Sequence, residues 1–267
     1  MSAPPALTQV QLWQVSRQGQ DVIAQKALLA PQELAHLETL REGPARDRHV
    51  LSRAALRVLL SRLTPSVAPA DWRLSRAANG RPEVVGPIEA GTISFNIAHT
   101  DDEIILALSA GACVGVDIEA LQRKSAALAL ARRHFRSEEV ASLEALPAPL
   151  QQRRFLELWT LKEARVKVTG EGLARGLPEA GFVLDEDGGI ALLSQHQESA
   201  DLWQFGQWSL ADTHLVALAL RGRNGPLEVQ WGCLQNLQPV AMANEPALLR
   251  ASAVHQARMY SSTNLEP

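Results

Sequence analysis

FLELWTLKEARVKVTGEGL, running from Phe155 to Leu173, reads as one long helix stopped by Gly170 and Gly172, with Pro147 and Pro149 just ahead of it. Beyond it the chain changes period. Phe182–Leu184, Ile190–Leu193, Trp203–Leu210, His214–Leu220 and Val229–Trp231 read as short strands. Helices followed by a run of strands, without strict βαβ alternation, indicate an α+β fold.

The helix also carries chemistry. Residues four apart share a helical side, so Trp159, Glu163 and Lys167 form a column with Lys162 beside it. A carboxylate and ammonium groups so arranged suit a metal and a phosphate. They equally suit an exposed i,i+4 ion pair worth roughly 0.2–0.5 kcal/mol.

Upstream, Val10–Val15 alternates as a strand and Pro31–Leu40 reads as a helix with proline in its first turn. Arg46–Leu63 is a stronger helix. Val50, Leu51, Ala54, Leu56, Leu59 and Leu60 recur at helical spacing, and Arg46, Arg48, His49, Arg53 and Arg57 make its other side basic. Trp72–Ser75, Ile93–Ile97, Ile104–Ser109 and Val114–Ile118 follow as strands between Gly, Asn and Asp turn signals. Ser125–Phe135 is helical, and Ser137 is expected to cap the next helix. The small-residue break Ser109–Cys113 divides the chain into 1–112 and 113–267. The end, past about Met259, is expected to fray.

VGVDIE at Val114–Glu119 ends an apolar run in two acids. Strand alternation sends Asp117 and Glu119 one way and Val114, Val116 and Ile118 the other. Paired carboxylates repel unless a cation lies between them, and hard oxygens suit Mg²⁺; a strand that leaves the core in water-facing acids reads the same way. Glu163 offers a third carboxylate. FNIAHT at Phe95–Thr100 delivers His99 from another strand, just ahead of Asp101 and Asp102.

In their order, GRP at Gly80–Pro82, then FNIAHT, VGVDIE and WTLKEARVKVTGEGL, these segments resemble the 4′-phosphopantetheinyl transferases of the two-subdomain, surfactin-synthetase-activating type. The resemblance is specific from Gly80 to Leu173, and extends more loosely to the preceding arginine-rich helix and to RRHFRSEE at Arg132–Glu139. It implies two similar α/β subdomains related by a pseudo-twofold, with the active site in the cleft between them. Residues 1–112 would contact the adenylate and phosphates of coenzyme A, and 113–267 would carry the metal carboxylates. The implied activity moves phosphopantetheine from coenzyme A to a serine of an apo acyl or peptidyl carrier protein, releasing adenosine 3′,5′-bisphosphate.

By the same resemblance, Asp117, Glu119 and Glu163 bind Mg²⁺, and Glu163 or a water it holds is the base. Lys167 matches the second lysine of WTxKEAxxKxxG and meets the pyrophosphate. His99 contacts a phosphate of coenzyme A, Arg53 grips the adenylate end, Arg81 supplies a cation from the GRP turn, and Arg48 and Arg46 stand behind them. One position departs from the pattern. The family commonly reads FNxSHS, and this chain has Ala98, which cannot donate a hydroxyl hydrogen bond; one such bond is worth roughly 0.5–1.5 kcal/mol. An acidic carrier would dock on Arg132, Arg133, Arg136, Arg153 and Arg154. Two other readings use the same residues: a Mg²⁺-dependent pyrophosphohydrolase of coenzyme A or nucleotides, and a non-catalytic homologue that holds coenzyme A or a carrier.

Composition agrees with these expectations. The 267 residues are 46% hydrophobic, enough for two modest cores, and the net charge of −3 argues against a nucleic-acid-coating protein. Cys113 and Cys233 form neither a disulfide framework nor a zinc pair and read as small buried thiols. The start, MSAPPALTQVQLW, lacks a basic segment followed by a long apolar one, and no run approaches the ~20 apolar residues of a membrane helix. A cytoplasmic protein is expected, and a monomer, since two internal halves can build a cleft unaided.

Overall fold

The computed structural model describes residues 10–77, 79–87, 93–194, 203–222, 225–252 and 258–260. The proline-containing start and the end expected to fray past 260 lie outside the described residues. Helices are α1 (Val22–Gln25), α2 (Pro31–Thr39), α3 (Pro44–Leu63), α4 (Ala127–His134), α5 (Ser137–Glu144), α6 (Ala148–Thr169) and α7 (Leu173–Glu179). Strands are β1 (Val10–Ser16), β2 (Arg73–Arg76), β3 (Pro82–Gly86), β4 (Ile93–Thr100), β5 (Glu103–Ala110), β6 (Cys113–Ala120), β7 (Ala180–Leu184), β8 (Gly189–Ser194), β9 (Trp203–Leu210), β10 (His214–Arg221), β11 (Glu228–Gln235), β12 (Gln238–Val240), β13 (Ala247–Ser252) and β14 (Arg258–Tyr260).

Two sheets follow from these strands. One runs β12-β11-β1-β5-β4 with β14 beside β11, the other β6-β10-β9-β13-β8-β7, and β2 and β3 form a separate hairpin. Because β11 pairs with β1 in parallel, the sheet begun by residues 1–112 is completed by residues from 113–267.

Alternation along each strand explains how the layers stack. Ile104, Leu106 and Leu108 of β5 pack with Val50, Leu51, Leu56 and Leu60 of α3. Ile105 and Ala107, pointing the other way, pack with Val114, Val116 and Ile118 of β6 and Val216 and Leu218 of β10. The opposite face of β10, through Leu215, Ala217 and Ala219, packs on Leu158, Leu161 and Ala164 of α6. Each sheet therefore buries one face under a long helix and the other against its partner sheet, so neither can show the polar face of a half-solvated sheet.

β4 and β6 meet edge to edge without a backbone ladder. Val114 N–H donates to Ser94 Oγ at 3.2 Å and Val116 N–H to Asn96 Oδ1 at 3.0 Å, so two side chains satisfy donors that an edge strand would leave unpaired. On the other face of β6, Gly115 lets α6 approach: a Cβ there would lie 2.1 Å from the Ala164 carbonyl oxygen and 2.9 Å from Val168 Cγ2. Gly115→Ala is expected to push the helix off the strand at a cost of about 1–3 kcal/mol. Thermal melting checks this, and an unchanged midpoint would contradict it.

Local signals failed in instructive places. Ser137 is the first residue of α5, not its cap; Arg136 is the cap, and its N–H donates to Glu139 Oε2 at 3.0 Å. Cys113 is exposed and Cys233 half-buried, because each sits near the end of its strand or on its less covered face. The segment LARGLPE at Leu173–Glu179, with its glycine and proline, carries no helical signal and still forms α7.

Candidate active site

α6 and β6 bring the motifs together. α6 begins with Pro147 as cap and Pro149 in its first turn, and ends in Gly170, which takes the left-handed conformation at φ 75° and donates its N–H to Val166 O at 2.8 Å. The aromatic rings of Trp159, Phe155 and Phe135 cluster at centroid distances of 5.3–6.3 Å and clamp α4 to α6. One turn on, Glu163 and then Lys167 face β6.

Asp117 and Glu119 share the side of β6 that faces this column, as alternation predicts, and both are buried. Lys167 Nζ donates to Asp117 Oδ1 at 2.7 Å and to Val116 O at 3.0 Å. Arg123 Nη1 donates to Glu119 Oε1 at 2.5 Å. The remaining oxygens, Asp117 Oδ2 and Glu119 Oε2, are buried with no hydrogen-bond partner. Among the described residues, no three His, Cys, Asp or Glu side chains are gathered as a ready cation site. Burial, then the Asp117 charge, pushes the Glu163 carboxyl up to about 7 against the opposing pull of Lys167. Burial likewise raises the Asp117 carboxyl, despite the Lys167 ammonium beside it.

Residues from the first half close the site. A cavity of about 340 Å³ is lined by Asn79, Gly80, Arg81, Pro82 and Asn96 on one side and by Glu163, Val166, Lys167, Gly170, Gly172 and Leu173 on the other. Asn79 fastens the β2–β3 turn to the helix end: its Nδ2 donates to Thr169 O at 3.1 Å, and its Oδ1 accepts from Arg81 N–H at 3.2 Å. His99 lies at the end of β4; partial burial, then the positive charges of Arg48 and Lys167, hold its pKa below the ordinary histidine value. Arg48 Nη1 donates to Asp101 O at 2.9 Å in the β4–β5 turn. Arg46 lies 3.7 Å from Glu42.

Arg53 stands apart from that cavity. It lines a neighbouring one of about 330 Å³ with Glu33, His36, His49, Arg76 and Pro82, and Pro82 borders both. His49 packs its ring 5.0 Å from that of His36, and burial, followed by the charges of Arg53 and His36, pushes its pKa down to about 4. A folded-state pKa below the unfolded value of ~6.5 means that the unfolded chain takes the proton first as pH falls. Stability is therefore expected to be complete above about pH 6.5 and to decline towards about pH 4, with His49→Gln flattening that decline in melts across this range.

Several charged side chains named from the sequence have other partners. Lys162 points away from Glu163 and is fully buried, its ammonium 2.7 Å from Glu139 Oε2. Arg57 is neither on a solvated face nor in the site: its guanidinium is buried, 2.8 Å from Glu33 Oε2, and donates to Pro69 O and Trp72 O. Ala98 faces the core between the sheets, on the side of β4 opposite His99. A serine hydroxyl there would lie on the face that carries Asn96, not on the His99 face. Sequence reasoning missed Arg123 and Asn79. The Asn-Gly turn signal marks Asn79; the Glu119–Arg123 spacing crosses a strand end, where i,i+4 has no periodic meaning.

The model of the 4′-phosphopantetheinyl transferase superfamily matches residues 113–219. The 4′-phosphopantetheinyl transferase HetI of Nostoc sp. is 30% identical over 233 residues, 82% of this chain and 92% of its own. The chain belongs to the 4′-phosphopantetheinyl transferase superfamily. A Synechocystis sp. protein, slr0495, that carries the same activity in its name is 30% identical over 225 residues, 84% of this chain and 88% of the relative. The phosphopantetheinyl transferase of Thraustochytrium sp. is 31% identical over 207 residues, 73% and 71% of the two chains. This transferase thus moves the 4′-phosphopantetheine group from coenzyme A to a carrier protein. Its membership sets the hydrolase reading aside. Among the described residues, no helix of the transferase is long and apolar enough to cross a membrane.

Proposed function

We propose that transfer takes place in the cleft where the β2–β3 turn and β4, from residues 1–112, face α6 and β6, from residues 113–267. The observation that carries this reading is the cavity of about 340 Å³ that unites Arg81, Asn96, Glu163 and Lys167 across the two halves. A pseudo-twofold relation of the halves is supported by their matching build, since α3 covers β5 as α6 covers β10.

Asp117, Glu119 and Glu163 would hold Mg²⁺. In favour of the fit, Asp117 Oδ2 and Glu119 Oε2 are unpartnered buried oxygens, and hard donors of this kind suit that ion. Bound there, the cation would supply charge neutralisation for the pyrophosphate of coenzyme A. Lys167 Nζ, at the last turn of α6, offers a point charge to a non-bridging oxygen, with Arg81, His99 and Arg48 meeting the phosphates around it. Arg53, with Arg76 and the His36–His49 pair, suits the adenylate end; the shared border at Pro82 lets one extended ligand span both cavities.

The carrier serine Oγ attacks the phosphorus that bears pantetheine, the bond from that phosphorus to the adenylate-side bridging oxygen breaks, and adenosine 3′,5′-bisphosphate leaves. The serine proton passes to Glu163 or to a water that Glu163 holds. Positioning and electrostatics account for most of such a reaction, so rigidity between α6 and β6 matters more than any reactive side chain.

For carrier docking, exposure favours α4. Arg136 donates to Glu179 O, and Arg153 and Arg154 both pair with Glu157; Arg132 and Arg133 lie exposed on α4, where Arg132 pairs with Glu144 at 2.6 Å on the surface. Arg132→Glu with Arg133→Glu is expected to raise KM for an acidic carrier ~10-fold and leave that for coenzyme A unchanged. Equal carrier kinetics would move the dock elsewhere. The transferase is expected to elute from a sizing column as a monomer.

Intact-mass spectrometry of an apo carrier incubated with the protein, coenzyme A and Mg²⁺ tests the whole reading. A phosphopantetheine adduct lost on adding EDTA is the expected result. An adduct that persists with Asp117→Asn or with EDTA would remove the cation from the mechanism.

A further inference from the structure

We propose that Arg123 is a positioning residue that competes with the divalent cation for Glu119, and so sets how much cation the site needs. The inference rests on the metal reading above and adds a residue to it. Three carboxylates, Asp117, Glu119 and Glu163, face two cationic side chains that differ in how firmly they are held. Lys167 is half-buried and bonded to both Asp117 Oδ1 and the Val116 carbonyl. Arg123 reaches Glu119 from the loop after β6 with its side chain 55% exposed, while Glu119 is 9% exposed.

The loop itself is fixed. Arg123 N–H donates to Ala120 O at 3.1 Å, and its own carbonyl accepts from Gln152 Nε2 at 3.0 Å, tying it to the start of α6. Gln152 Nε2 also bonds Ser125 Oγ at 3.1 Å. The backbone of Arg123 is thus held, while its guanidinium has open solvent to swing into. Glu119 Oε1 is taken by Arg123, and Glu119 Oε2 has no partner. A cation that engages Glu119 meets either the repulsion of the guanidinium or its departure. Arg123 keeps the buried acid compensated and yields to a cation of higher charge, whereas Lys167 stays.

The test measures Mn²⁺ binding to the full chain without coenzyme A, from the loss of the free-ion paramagnetic resonance signal. R123Q, which removes the charge and keeps the length, is expected to bind Mn²⁺ about three- to tenfold more tightly than the wild type. R123A should tighten it similarly, and R123K, which keeps the charge, should stay near wild type. A merely structural role for Arg123 would leave affinity unchanged or weaken it in all three. R123Q binding Mn²⁺ equally or less well, or R123K tightening it as much as R123Q, overturns the proposal while leaving the metal site intact. Mn²⁺ binding D117N as well as wild type, or binding no protein at all, overturns the metal reading and this inference with it.

Discussion

Lys162→Ala is expected to destabilise the protein by about 3–5 kcal/mol, because it strands a buried carboxylate. The Lys162 ammonium is 2.7 Å from Glu139 Oε2, donates to Leu177 O at 3.0 Å and to Ala180 O, and lies 4.8 Å from the centre of the Phe135 ring. Glu139 in turn accepts from Phe182 N–H at 2.8 Å and from Arg136 N–H at 3.0 Å. One ion pair therefore ties α6 to α4, α5, α7 and β7. In a chain of this size the loss corresponds to a fall in Tm of roughly 5–10 °C. Lys162→Met should fare little better, since it fills the space and leaves Glu139 unpaired. Adding Glu139→Gln to Lys162→Met should recover much of the loss. A Tm within a few degrees of wild type for Lys162→Ala would show that the pair is not needed.

Glu163→Gln is expected to have the opposite signature, with folding intact and turnover reduced ~10²–10⁴-fold, the range for loss of a positioned base. Glu163 shares its burial with Asp117 and Glu119, whose charges help hold its carboxyl near 7, so a neutral isostere relieves repulsion and Tm should hold or rise. Pre-steady-state transfer to an apo carrier, together with melting of the same sample, separates the two effects. Turnover near wild type would remove Glu163 from the mechanism. Lys167→Ala is a less clean probe, because Lys167 also neutralises buried Asp117 and its loss would mix binding with stability.

Much of the site was legible because it depends on local facing rules. Alternation in VGVDIE put Asp117 and Glu119 on one side of β6 and two valines and an isoleucine on the other, and that is how they pack. The i,i+4 column put Glu163 and Lys167 on one side of α6, and both line one cavity. The Asn-Gly-Arg-Pro turn was readable as a turn, but its docking on the end of α6 through Asn79 was not, since the partners are ninety residues apart. Ala98 packs in the core rather than beside His99, because a strand sends neighbouring side chains to opposite faces.

The sequence by itself determined the long helices, most strands, the motif order and the family, since periodicity and motif spacing are properties of contiguous residues. Only the tertiary structure decided which charges are structural and which face the site. Lys162 and Lys167 ride the same helix roughly 140° apart, and nothing local distinguishes them. Lys162 meets Glu139 and two carbonyls in a sealed core; Lys167 meets Asp117 at the edge of a cavity. A helix sets the direction of each side chain, but the segment packed in that direction comes from elsewhere in the chain and determines what the charge does.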